Sequence, residues 1–247
     1  MMKTISGTVV TRDNINIAYD YTIQGFDSAV IVCPGFFNSK RNRWMVKAAE
    51  LAGEKHDVVI FDFRGHGESG GRFYWSAKEH LDLEAVLKYT KARGYKKIGI
   101  LGFSLGAAAA VNLVSLEDGV DSMILVSCPS SFAGIDFNFW RPEMLSDLKD
   151  NFSCHWEGKG ARPGHLFLPK FKPVDRISKI KNIPVLFIHG DKDWIVNAYH
   201  SEKLFKACTT RKKLEIIKNG LHAERLIQQY PERIKKIILD WFSSTMS

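Results

Sequence analysis

Long apolar runs are missing from this sequence. No stretch reaches the roughly 18 to 20 residues that a membrane-spanning helix needs, so stable insertion in a bilayer is not expected. The opening residues, MMKTISGTVVTRDN, are polar and β-branched and lack the apolar core of a signal peptide. Cysteine is scarce. Cys33, Cys128, Cys154 and Cys208 lie far apart, with no C-x-x-C pair and no Cys/His ligand spacing. A disulfide framework and a zinc site are therefore not indicated, and no metal is expected. The missing signal peptide, above all, points to a reducing, cytoplasmic location. Internal repeats, low-complexity tracts and flexible linkers are absent as well. Acidic residues are in deficit, leaving a net charge of +8. The densest basic stretches, Lys170–Lys181, Lys203–Lys218 and Arg233–Lys236, fall on helical patterns and connectors. None is interleaved with stacking aromatics, so a nucleic-acid partner is not expected.

What is present is an alternation. With 247 residues, 45% of them hydrophobic, the chain suits one large domain with a sizeable core. Thr4–Thr11 and Ile15–Ile23 read as a hairpin. Short apolar strands follow at Ala29–Cys33, Val58–Phe63, Lys97–Phe103, Ser122–Ser127, Pro184–His189 and Lys213–Lys218. Helical patterns separate or follow them at Trp44–Ala52, Ala77–Ala92, Leu105–Leu116, Ala198–Ala207 and Pro231–Phe242. Near-continuous apolar strands alternating with helices predict an α/β fold. It would be a mostly parallel sheet of about eight strands with helices on both faces. Residues 130–182 break the rhythm. They are long for a plain connection and rich in aromatics, and read as a small cap insertion. The alternative is a pair of short helices packed on the main core.

Gly102-Phe103-Ser104-Leu105-Gly106 sits between a strand and an alanine-rich helix. It matches G-x-S-x-G in the context that gives the pattern meaning. A turn this tight needs glycines at its flanks, and it lifts the serine hydroxyl clear of the sheet. A hydroxyl is a weak nucleophile unless a base takes its proton. His222, in the loop after the last strand, is the candidate base. Asp191 and Asp193, after the preceding strand, are both candidates to orient it. The order Ser, Asp, His is the one this architecture uses.

Three further stretches carry a resemblance. They are Pro34-Gly35-Phe36-Phe37-Asn38-Ser39, then Phe61-Asp62-Phe63-Arg64-Gly65-His66-Gly67-Glu68-Ser69, and His189-Gly190-Asp191-Lys192-Asp193-Trp194-Ile195-Val196. With the Ser104 turn they resemble, in order, the motifs of the α/β-hydrolase superfamily. The likeness is to its small esterases, of the feruloyl and cinnamoyl esterase-like and monoacylglycerol lipase-like groups. The resemblance implies a catalytic triad of Ser104, Asp193 and His222, with Asp191 a turn residue. It also implies an oxyanion hole from the backbone N–H groups of Phe36 and Leu105. His66 is then structural. Pro34 departs from the histidine often found there, which touches the loop's course and not the chemistry.

The expected activity is hydrolysis of a small-molecule carboxylic ester, with no cofactor. Thioester, amide or peptide cleavage and acyl transfer share the same constellation, and a non-catalytic binding module shares the fold. A serine nucleophile argues against the aspartate-dependent dehalogenases and epoxide hydrolases. Phe37, Phe137, Trp140 and Trp194 are the candidate substrate-binding aromatics.

Overall fold

Five strands of this chain are buried along their whole length or nearly so, which only a sheet covered on both faces permits. The computed structural model describes residues 3–132, 135, 160–165 and 167–247. Among these residues the strands are β1 (Lys3–Val10), β2 (Asn16–Ile23), β3 (Ser28–Cys33), β4 (Asp57–Phe61), β5 (Lys97–Phe103), β6 (Ser122–Val126), β7 (Val185–Gly190) and β8 (Lys212–Ile217). The helices are α1 (Arg43–Gly53), α2 (Glu79–Lys91), α3 (Leu105–Val114), α4 (Pro173–Ile177), α5 (Tyr199–Ala207), α6 (Arg225–Gln229) and α7 (Pro231–Thr245).

The strands form one sheet in the order β1-β2-β4-β3-β5-β6-β7-β8. The leading hairpin is antiparallel and joins β4 antiparallel, with Tyr19 opposite Phe61. From β4 onward every pairing is parallel. Side chains alternate between two cores. Ile31, Ile100, Leu125 and Phe187 pack with residues of α2, α3, α4 and α5. Val32, Leu101, Ile124 and Leu186 pack on the other face with residues of α1, α6 and α7.

The expected elements are all found, with ends moved by a residue or a few. β4 stops at Phe61 rather than Phe63 because the Asp62 carboxylate draws in the N–H groups of Lys40 (2.6 Å) and Glu68 (2.8 Å) and turns the chain. β6 stops before Ser127, whose φ of +51° leaves the extended region. The short helix α6 was not expected, since five residues show no clear period. α4 falls within residues 130–182 and packs Ile177 into the core, as the alternative reading of short helices on the main core expects for that stretch.

Most of the proposed cap lies outside the described residues. Its returning part, residues 160–164, runs along the loop after β4. Phe73 N–H donates to Arg162 O at 2.9 Å, and Gly164 N–H to Phe73 O at 2.8 Å.

Candidate active site

Two glycines make the turn at Ser104 possible. A Cβ at Gly106 would stand 2.2 Å from the Cys33 carbonyl oxygen and 2.5 Å from that of Pro34. A Cβ at Gly102 would stand 2.7 Å from Ala107 Cα. β3, β5 and the start of α3 therefore approach as closely as backbones can. Ser104 between them takes φ +48° and ψ −110°, a strained conformation for a side-chain-bearing residue. Its N–H donates to Val126 O at 2.8 Å, and its carbonyl accepts from Ala108 N–H at 3.1 Å. Leu105 opens α3, so its N–H is among those a helix cannot satisfy internally.

The loop after β3 runs beside this turn. A Cβ on Gly35 would meet Ser104 Cβ at 3.5 Å. Phe37, at φ +65°, donates its N–H to His66 Nε2 at 3.2 Å, while His66 Nδ1 lies 3.1 Å from Arg64 O. His66 is thus a prop for the loop, as expected. Burial lowers its pKa to about 4, against the bond to the Arg64 carbonyl.

Asp193, and not Asp191, meets the histidine. His222 Nδ1–H donates to Asp193 Oδ2 at 2.7 Å. Asp193 Oδ1 accepts from Ile195 N–H (3.0 Å) and Val196 N–H (2.9 Å). Burial would raise the pKa of this carboxyl. The positive charge that His222 carries when protonated and the bonds from His189 and His222 outweigh burial and hold it well below the usual range. Asp191 is exposed and accepts Asn219 N–H at 2.6 Å, which makes it a turn residue.

His222 is half-buried and held by its neighbours. Gly190 and Gly220 touch so closely that a Cβ on Gly190 would lie 2.2 Å from Gly220 O. Ala223 takes φ +49° and donates its N–H to Ser127 Oγ at 3.0 Å. Ser127 in turn donates its N–H to Ile188 O at 2.8 Å and directly follows Val126, the acceptor of Ser104 N–H. The ends of β5, β6 and β7 and the His222 loop are laced together at this point.

Sequence reasoning missed three contributors. His189 was given no role, yet its Nε2 lies 3.1 Å from Asp193 Oδ2 and 2.7 Å from Val196 O, and its Nδ1 is 2.6 Å from Ser201 Oγ. The available signal was its place at the head of the H-G-x-x-D stretch. Ser127 carried no signal. Trp75, at φ +56°, was not singled out either. Its ring lies 5.2 Å from that of Phe36, which also stacks on Phe73 at 4.9 Å and meets Phe37 at 5.8 Å. Phe36 and Phe37 are each 39% exposed, so this edge of the aromatic cluster faces outward, while Phe73 beneath it is buried. Trp194 is half-buried on the Asp193 loop. Phe137 and Trp140 lie outside the described residues.

Among the described residues no group of three or more His, Cys, Asp or Glu is placed to hold a metal. No helix of the described residues is long and apolar enough to cross a membrane.

Comparison with known proteins agrees with this architecture. Residues 28–153 match the family described as alpha/beta hydrolase fold. The uncharacterized protein YqkD of Bacillus subtilis is 31% identical over 229 residues, covering 83% of this chain and 70% of YqkD. The uncharacterized protein YfhR of Escherichia coli is 23% identical over 198 residues, 77% of this chain and 62% of YfhR. This chain thus spans about two thirds of the length of these relatives. Among solved structures, the esterase Pf2001 of Pyrococcus furiosus superposes with a TM-score of 0.80 at 25% identity. That superposition covers 100% of this chain and 94% of the esterase.

Proposed function

This chain belongs to the alpha/beta hydrolase fold family, and from that premise we propose that it is a serine hydrolase of carboxylic esters working through Ser104, His222 and Asp193. The observation that carries the reading is the 2.7 Å bond between His222 and a buried, ionised Asp193, formed at the same end of the sheet as the strained Ser104 turn. The solved relative at 25% identity bears the name esterase, which supports the choice of reaction.

Ser104 Oγ attacks the ester carbonyl carbon while His222 Nε2 takes the hydroxyl proton. Asp193 holds Nδ1–H, which fixes the tautomer and favours the imidazolium as it forms. The carbonyl oxygen becomes an oxyanion held by the N–H groups of Leu105 and Phe36. Each such donor is worth about 100- to 1000-fold in rate. His222 then gives its proton to the leaving alcohol, and the C–O bond breaks. Water attacks the acyl-enzyme by the same steps, releasing the acid and restoring Ser104. No metal or organic cofactor takes part. Phe36, Phe37, Trp75 and Trp194 supply apolar surface beside the reacting carbon, which favours an uncharged, apolar acyl group.

A chain-length series of p-nitrophenyl esters, run beside Ser104→Ala, tests the proposal. Turnover by the wild type and a loss of about 1000-fold or more in the variant is expected. A fluorophosphonate should label the wild type alone. Absence of both turnover and labelling in the wild type would sink the reading.

A further inference from the structure

The oxyanion donor and the base come from distant parts of the sheet. Phe36 follows β3 and His222 follows β8, with β5, β6 and β7 between them. At about 4.8 Å per strand spacing, the two strands are nearly 20 Å apart, so the ladder alone does not set the distance between their loops. Catalysis needs that distance held closely, because donor and base must serve one carbonyl group at once.

A side-chain bond spans the gap. Asn38 Nδ2 donates to Glu224 Oε1 at 2.7 Å. Asn38 stands two residues beyond Phe36, and Glu224 two beyond His222. Asn38 is buried, and its own N–H closes the loop on Gly35 O at 3.3 Å. Glu224 precedes α6, and its carbonyl accepts Ile227 N–H at 3.0 Å. Each end of the bond is therefore rooted in a turn that also carries a proposed catalytic group.

We propose that Asn38 and Glu224 are a positioning pair whose hydrogen bond sets the His222 loop against the Phe36 loop. The proposal rests on the serine-hydrolase reading. Neither residue touches the reacting atoms; the pair acts through the Phe36 amide and the His222 ring. Each loop has other anchors. His66 holds the Phe37 amide, and Asp193 and Ser127 hold the histidine loop. Losing the pair should therefore free relative motion of the loops without unfolding the chain. The acceptor needed is an oxygen and not a negative charge, so a glutamine at 224 should serve.

The test compares wild type, Asn38→Ala, Glu224→Ala, the double variant and Glu224→Gln. Each is assayed on p-nitrophenyl butyrate, with active sites titrated by a fluorophosphonate so that unfolded protein does not count. In both single alanine variants kcat per titrated site should fall about 10- to 100-fold, with KM within about twofold of wild type. The double variant should be no worse than either single, and Glu224→Gln should stay within about threefold of wild type. Asn38→Leu, similar in size but without a donor, gives the same reading should the alanine variant not fold. Wild-type kcat per titrated site in the alanine variants would overturn the proposal. So would multiplying effects in the double variant, or a Glu224→Gln as impaired as Glu224→Ala. A wild type that the phosphonate does not label overturns the hydrolase reading and this proposal with it. A labelled wild type with unaffected variants overturns this proposal alone.

Discussion

At position 66 an imidazole has to stay neutral to accept the Phe37 amide. Burial lowers its pKa from 6.5 to about 4. The sign of the linkage follows. Between these values the unfolded chain takes up a proton that the folded chain refuses. His66 therefore leaves stability intact above pH 6.5 and removes it as pH falls toward 4. At pH 5 the loss comes to about 2 kcal/mol. Urea denaturation at pH 7 and pH 5 should show a smaller drop for His66→Gln than for wild type. The buried carboxylates are common to both proteins and cancel in the comparison. Equal drops would mean that this proton is not linked to folding. The residue scale also shows what spacing can and cannot resolve. Ser104 and His222 were legible because a strand–turn–helix pattern and a loop after the last strand set them apart. Residue types alone left Asp191 and Asp193 equivalent. The resemblance pointed to Asp193, and burial beneath His222 separates the two in space.

Among the elements, the junction of β3, β5 and α3 is one of the two tightest, with the Gly190–Gly220 contact. The atoms that would meet a Cβ at Gly106 are carbonyl oxygens of Cys33 and Pro34, and backbone cannot swing aside as a flexible side chain can. Gly106→Ala should cost about 3 kcal/mol or more, or leave the chain insoluble. Gly70 makes the contrast. Its backbone is not left-handed, and its nearest neighbour would be 3.5 Å from a new Cβ. Gly70→Ala should change stability by no more than about 1 kcal/mol. Denaturant midpoints of the two variants decide the matter, and equal midpoints would refute the steric account. Helices and strands were legible here because burial imposes a period on them. α6 was not, since its five residues are shaped by the loop that positions Glu224.

Over the whole molecule the net charge of +8 makes a field that acts on charged partners and not on neutral ones. A neutral p-nitrophenyl ester should keep its kcat/KM within about twofold between roughly 50 and 500 mM salt. An ester whose acyl chain ends in a carboxylate should show KM rising over the same range. A strong salt response with the neutral ester would point instead to a charged surface that competes for the site. The sheet order was only partly readable at this scale. Alternating strands and helices imply parallel pairing, but the placement of β4 between β2 and β3 rests on long-range contacts.

The sequence by itself determined the α/β class and the turn at Ser104, because hydrophobic period and glycine sterics are local properties. With the resemblance it also determined which aspartate and histidine to expect. The tertiary structure alone decided which side chains hold those residues in place. Ser127 under Ala223, His189 beside Asp193, and Asn38 on Glu224 are pairings across 96, 4 and 186 positions. Even the nearest of these depends on a turn bending the chain back on itself. Such contacts arise where loops from separate strands converge at one end of a sheet. No periodicity in the chain records that convergence, because it is a property of the closed fold.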